Sequence, residues 1–372
     1  MAAQGAIMDR LISRSLAQRV PLSVHLDLTY RCNERCIHCY LDHDDRGELS
    51  TAEVSGILNQ LAAAGTLFLT FSGGEIFLRE DLFLLLEQAR RQRFDVGLKT
   101  NGVLLDRERA RRLRELGISK VQVSIYSARP EVHDAITRLP GSLEQSLQAI
   151  DLCRTMGLPV KMACPLMRQN VHDHAGVVSL AAERGIPFVM DLTITPHREG
   201  GRNLLPLRLA AESLLPVLQD PRVNPPRPAP VMPPAGGKAS RDDAYHDIPC
   251  SAGHNSCYIS PYADVFPCVQ MPHPAGNLRR QTFAAIWHDA PQLQEVRALR
   301  ESDLPVCRTC DLRPFCERCP GSALVEHGDL TAAVARACEL AEVRARLAGV
   351  VDPVSAWHRQ NIPRGLPPVR IH

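Results

Sequence analysis

The chain has 372 residues, is 45% hydrophobic and is almost charge-balanced, with 43 basic and 41 acidic residues and a net charge of +2. That length suits one large domain with one or two smaller ones, and the apolar content is ample for a core. The charge gives no ground to expect nucleic acid or an anionic membrane as partner, and no apolar run approaches the roughly twenty residues of a spanning helix.

Residues 1–20 read as an N-terminal amphipathic segment, with Arg10, Arg14 and Arg19 set among Ile7, Leu11, Ile12 and Leu16. It has no continuous apolar stretch of the kind a secretion signal needs, so a cytoplasmic location is expected. Thirteen cysteines are many for such a chain. Disulfides rarely persist there, and most of these thiols are expected to be metal ligands.

Residues 21–205 alternate short β-rich runs with amphipathic helical stretches. Six strands are predicted: Ser23 to Leu28, Leu67 to Phe71, Asp95 to Lys99, Lys120 to Ile125, Pro159 to Ala163 and Phe188 to Ile194. Ser50 with Glu53, and Ser142 with Gln145, read as capping boxes, and Asp106 as the cap of the helix ending at Gly117. Alternation of this kind predicts an α/β fold with parallel strands and right-handed crossovers, a partial (β/α)6 barrel of the TIM type. Functional groups in such folds gather at the carboxyl ends of the strands. Cys32 to Cys39, Ser72 to Glu75, Thr100 to Gly102 and Ser124 to Tyr126 all fall at that end.

The first of these motifs, Arg31 to Tyr40, places Cys32, Cys36 and Cys39 in a CxxxCxxC spacing. Three thiolates can hold three corners of a cubane iron-sulfur cluster, leaving one iron open for a small molecule. A zinc knuckle short of one ligand, or three unrelated thiols, are the structural alternatives. The stretch resembles the cluster-binding loop of the radical S-adenosylmethionine (radical SAM) superfamily, in which SAM chelates the open iron. By the same resemblance, Gly73, Gly74 and Glu75 correspond to the motif at the methionyl amine. Alone, a Gly-Gly turn with a first-turn acid is ordinary punctuation. Asn101 and Ser124 resemble positions near the ribose and methionyl group, and Arg138 resembles an arginine that meets the SAM carboxylate. For these three, strand-end polarity or a surface arginine is the bland reading. Tyr40 suits an adenine contact or a core aromatic, and His38 stands where many family members carry an aromatic.

Residues 206–249 read as a Pro-rich linker or loop, because a run such as Pro221 to Gly237 cannot sustain backbone hydrogen bonding. Residues 250–345 then hold Cys250, Cys257, Cys268, Cys307, Cys310, Cys316, Cys319 and Cys338. This set resembles the small Cys-rich SPASM domain of radical SAM enzymes that modify peptides, as do Cys250-Ser-Ala-Gly, Ile259 to Cys268, and Gly276 leading to Trp287. Carried over by order, one auxiliary 4Fe-4S cluster would use Cys250, Cys257, Cys268 and Cys319, and a second Cys307, Cys310, Cys316 and Cys338. The family pattern has three residues where this chain has only Glu317 and Arg318. Paired CxxC units are also zinc-ribbon signatures. Cys153 and Cys164 remain as buried thiols, and residues 346–372 form a C-terminal tail.

The resemblance implies reductive cleavage of SAM at a 4Fe-4S cluster to a 5'-deoxyadenosyl radical that abstracts hydrogen from a substrate. A ribosomally made precursor peptide being crosslinked, oxidised or epimerised is the substrate expected. Tetrapyrrole side-chain modification and a non-catalytic zinc or electron-transfer protein are the alternatives. Sulfatase maturation fits less well, since Cys268 is followed by Val269 where such enzymes carry an aspartate. An electron donor such as flavodoxin or ferredoxin is expected as partner. So is a separate leader-peptide recognition protein, because neither end of the chain reads as a winged-helix domain.

Overall fold

The computed structural model describes residues 2–197, 200–225 and 247–350. Residues 226–246 of the expected linker and 351–372 of the expected tail lie outside the described residues. All six predicted strands form: β1 (Ser23–Thr29), β2 (Phe68–Gly73), β3 (Asp95–Thr100), β4 (Lys120–Ser124), β5 (Val160–Pro165) and β6 (Phe188–Asp191). They run parallel in sequence order, each beside the one before it, with helices in the crossovers. This is the partial barrel.

The sheet does not stop at β1. Three further strands, β7 (Ser256–Ile259), β8 (Asp264–Phe266) and β9 (Gly276–Asn277), continue it in the order β6-β5-β4-β3-β2-β1-β7-β8-β9. Val24 of β1 stands opposite Cys257 of β7 in a parallel pair, and β8 and β9 follow antiparallel. The Cys-rich region is therefore an extension of the barrel sheet, a union that the sequence pattern does not announce.

Period-two alternation sorts the strand residues onto two faces. Val24, Leu26, Leu28, Leu69, Phe71, Val96, Leu98, Val121, Val123 and Met162 join the main apolar core beneath the helices. By register, the opposite face carries His25 and Asp27, Thr70 and Ser72, Gly97 and Lys99, Gln122 and Ser124, Lys161, and Asp191. The concave side of the barrel is mostly polar, with Phe68, Ala163, Pro165 and Val189 among these residues.

Helix ends follow local chemistry. Ser50 and Glu53 close the expected capping box on the helix Thr51–Ala63, and Asp106 accepts from the Arg109 N–H at 2.8 Å to cap Arg107–Glu115. Ser142 does not cap the helix it opens. Asp134, on the preceding helix, accepts from the Gly141 N–H (2.6 Å), the Leu143 N–H (3.1 Å) and the Ser142 hydroxyl (3.0 Å). An ionised carboxylate is the stronger acceptor, so it takes the donors a serine would have capped. The range 206–225 also departs from a plain linker, for it contains the helix Ala211–Gln219. Leu214, Val217 and Leu218 sink into the main core, and that burial outweighs the bond lost at Pro216. The last helix, Ala335–Leu347, runs two residues into the expected tail and packs against Ala211–Gln219.

At the β1–β7 seam, Asp27 is fully buried and accepts from the Tyr258 hydroxyl at 2.7 Å, with His25 Nε2 at 2.9 Å. Tyr258→Phe is expected to leave this carboxylate short of a donor and lower unfolding stability by about 1–3 kcal/mol. Denaturant titration of the variant would show an earlier midpoint.

Candidate active site

The loop after β1 carries Cys32, Cys36 and Cys39, and the neighbouring backbone holds it in place. Arg35 N–H donates to Thr137 O and Ile37 N–H to Ile136 O, both at 3.0 Å, which hooks the loop onto the end of the helix Pro130–Thr137. From the other side, Gly74 N–H donates to Thr29 O and Glu75 N–H to Arg31 O, both at 2.8 Å. This approach is possible only for glycine. A Cβ at Gly73 would lie 2.1 Å from Thr29 O, and one at Gly74 would lie 2.3 Å from Arg31 O.

Glu75, expected as the contact for the methionyl amine, lies directly behind the two glycines. Its carboxylate is fully buried and accepts from Phe77 N–H (3.0 Å), Asn101 N–H (2.9 Å) and the Thr100 hydroxyl (2.8 Å). It does not line the cavity beside the thiols, although Gly73 and Gly74 do. A carboxylate engaged by three protein donors clamps the end of β2 to the end of β3. Burial raises its carboxyl pKa against the pull of those donors.

The clamp fixes Asn101. Its Nδ2 donates to Asn33 Oδ1 at 2.8 Å and lies 3.9 Å from Cys32 Sγ, while Ser146 Oγ donates to its carbonyl at 2.6 Å. Asn101, Ser124 and Tyr40 all line the same cavity of about 200 Å³ as the three thiols. Arg138 does not: it is exposed, in a left-handed conformation (φ 59°) at the end of the helix Pro130–Thr137. His38 and Tyr126 meet edge to face at 4.8 Å on the cavity wall. Burial holds His38 neutral, with its pKa pulled down to about 4.

Burial pushes the thiol of Cys32 up to about 12 and that of Cys39 to about 11, with Cys36 raised beyond both. Metal uptake must therefore displace protons. Several buried polar atoms around the thiols have no partner among the described residues: Asn33 Nδ2, Glu34 Oε1 and His38 Nδ1. Three sulfur donors facing one cavity beside unspent polar groups fit a sulfur-ligated cluster. The same cavity is lined by Lys99, Gln122 and Asp191, which motif reasoning passed over. Their signal was available as polar residues at alternate strand positions.

In the second cysteine set, Cys307, Cys310, Cys316 and Cys338 line one cavity of about 380 Å³, although Cys338 comes from the last helix. Cys250 and Cys268 share a small apolar cluster, and Cys319 Sγ reaches Gln270 Oε1, two residues past Cys268, at 3.7 Å. Cys257 is buried in the main core on β7, and that burial pushes its thiol pKa up. Cys153 and Cys164 lie buried in the main core, outside both cavities.

The profile of the radical SAM superfamily matches residues 26–181, and that of an iron-sulfur cluster-binding domain, SPASM, matches residues 250–311. A PqqA peptide cyclase of Xanthomonas axonopodis pv. citri is 30% identical, covering 90% of this chain and 92% of its own. An AdoMet-dependent heme synthase of Methanosarcina barkeri is 27% identical, over 83% of this chain and 94% of its own. The fold is similar to that of Streptococcus suis SuiB bound to precursor peptide SuiA, with a TM-score of 0.62, 16% identity, and coverage of 86% of this chain and 76% of that one.

Two outcomes follow from this geometry. Glu75→Gln replaces a carboxyl whose two oxygens both accept by an amide with one accepting oxygen, and is expected to lower stability by about 1–3 kcal/mol. It should also weaken SAM binding through Asn101, as read by thermal unfolding and calorimetry on one preparation. Cys338→Ala is expected to lower iron content after anaerobic reconstitution from about twelve to about eight atoms per chain. Cys153→Ala should leave the count unchanged.

Proposed function

The chain belongs to the radical SAM superfamily and carries a SPASM iron-sulfur domain, and on that premise we propose that it removes a hydrogen atom from a peptide substrate, with a ribosomally made precursor as the substrate class. The observation that carries the reading is the single cavity at the carboxyl end of the sheet that collects three thiols, two glycines and Asn101. A peptide is favoured because the relative at 30% identity, matched over nearly its whole length, is a peptide cyclase.

In this reading Cys32, Cys36 and Cys39 hold the SAM-site cluster. Two auxiliary clusters take Cys250, Cys257, Cys268 and Cys319, and Cys307, Cys310, Cys316 and Cys338. A 4Fe-4S cluster held there would supply the one-electron reduction that SAM cleavage to methionine and a 5'-deoxyadenosyl radical requires. The chain's own residues bind and orient. Gly73 and Gly74 bring bare backbone to the methionyl end of SAM, Asn101 and Ser124 offer hydrogen-bonding side chains, and Tyr40 offers a ring for adenine. A flavodoxin or ferredoxin supplies electrons. The reading includes a separate leader-recognition protein as a partner.

A second reading, tetrapyrrole side-chain chemistry, is favoured by the heme synthase relative, which is covered over 94% of its length. One experiment separates them. The reconstituted, reduced chain should release 5'-deoxyadenosine from SAM, and Cys32→Ala should abolish that release. A precursor peptide encoded beside the gene should speed the release and change in mass. Acceleration by iron coproporphyrin III instead would establish the tetrapyrrole reading. Iron uptake with no SAM cleavage would remove both.

A further inference from the structure

Only four of the chain's 43 basic residues are lysines: Lys99, Lys120, Lys161 and Lys238. Three of these stand on consecutive strands, β3, β4 and β5. Lys99 is opposite Gln122, Gln122 is opposite Lys161, and Lys120 is opposite Gly97, so all three share the concave polar face. Space has been cleared for them. A Cβ at Gly97 would lie 2.8 Å from Lys120 Cε, so the missing side chain is the room into which Lys120 folds.

None of the three lysines makes a hydrogen bond or ion pair with the described residues. The nearby carboxylates are already engaged: Asp27 by Tyr258 and His25, and Asp191 by the Thr193 N–H at 2.9 Å. Burial, and then the charge of Lys120, lower the Lys99 pKa against the pull of Asp27 and Asp191. Burial lowers that of Lys161 too, with Lys120 and Lys99 adding to the effect. The three like charges repel one another, an effect that Asp27 and Asp191 offset only in part at Lys99, and an incoming anion relieves the remaining cost. Lys99 is also the one Lys or Arg, among the described residues, that lines the cavity of the three thiols. Lys120, at the opposite end of the wall, is exposed. The row thus leads from solvent at the amino end of the sheet toward the candidate active site.

We propose that Lys99, Lys120 and Lys161 form a carboxylate-binding wall that holds an acidic segment of the peptide substrate in the barrel lumen. The proposal rests on the peptide reading above and specifies the chemistry of the segment it takes. Lysine suits the task as a compact point charge that meets single carboxylates along a moving chain, without the planar pairing arginine favours. Glutamate or aspartate side chains, or a terminal carboxylate, would bind along β3 to β5 and leave the adjoining residue beside Lys99 at the cavity.

The test uses the reconstituted full-length chain with SAM and two labelled probes, a short glutamate-rich peptide and its glutamine counterpart, followed by fluorescence anisotropy. The glutamate peptide is expected to bind at least about tenfold more tightly at low salt, with the margin shrinking as salt is added. Lys120→Ala with Lys161→Ala should erase the margin, and Lys120→Arg with Lys161→Arg should keep it. Equal binding of the two peptides by the unaltered chain, or a margin that survives the alanine pair, overturns the proposal. So does a margin lost equally in the arginine pair, since charge would then not be what is read. Iron coproporphyrin III bound through the same lysines, with no preference between the peptides, would assign the wall to another carboxylate. Release of 5'-deoxyadenosine is measured separately. Release without a peptide preference removes the lysine wall alone, and no release removes the reading beneath it.

Discussion

The Glu75 carboxylate is the interaction on which the site's geometry hangs. It closes the end of β2 against the end of β3, and through Asn101 it reaches the cysteine loop. On its other side the two preceding glycines lie flat against Thr29 and Arg31. One buried carboxyl therefore ties the ends of β2 and β3 to the cysteine loop through Asn101 and Asn33. Burial works against its ionisation, so the donors around it are what keep it useful.

The barrel reverses the usual assignment of a sheet's inner face. In a closed eight-stranded barrel the lumen is filled with bulky apolar side chains and serves as core. Here the bulky apolar residues of β1, β3 and β4 point outward under the helices, and the lumen holds Asp27, Lys99, Gln122, Lys161 and Asp191. Stability and chemistry are thus divided between the two faces of one sheet. The helices carry the hydrophobic stabilisation, which frees the concave wall to be shaped for a guest.

Much of this was legible in the sequence. Strand positions followed from β-rich runs between capped helices, and the cysteine spacings pointed to clusters. What escaped has physical causes. The Asp134 cap is a tertiary contact that outcompetes the local Ser142 signal. The pairing of β7 with β1 joins segments far apart in the chain, and no local pattern encodes which edge a strand chooses. The donors around Glu75 were not legible either, because spacing locates a side chain without saying which groups surround it. The helix Ala211–Gln219 was hidden by neighbouring prolines, although Leu214, Val217 and Leu218 already formed an apolar stripe.

The placement of β1 bears on how the chain comes to be made. β1 is an interior strand, flanked by β2 on one side and by β7 on the other, and β7 is synthesised long after it. Until the ribosome has delivered Ser256 to Ile259, the nascent barrel presents an unpaired, apolar-faced strand edge, the kind of surface that templates wrong pairings between chains. Long-range parallel pairing is also slow to close. The Cys-rich region therefore acts as a late-arriving seal on the barrel as well as a cluster carrier, and a ribosome stalled ahead of it would hold an aggregation-prone half-product.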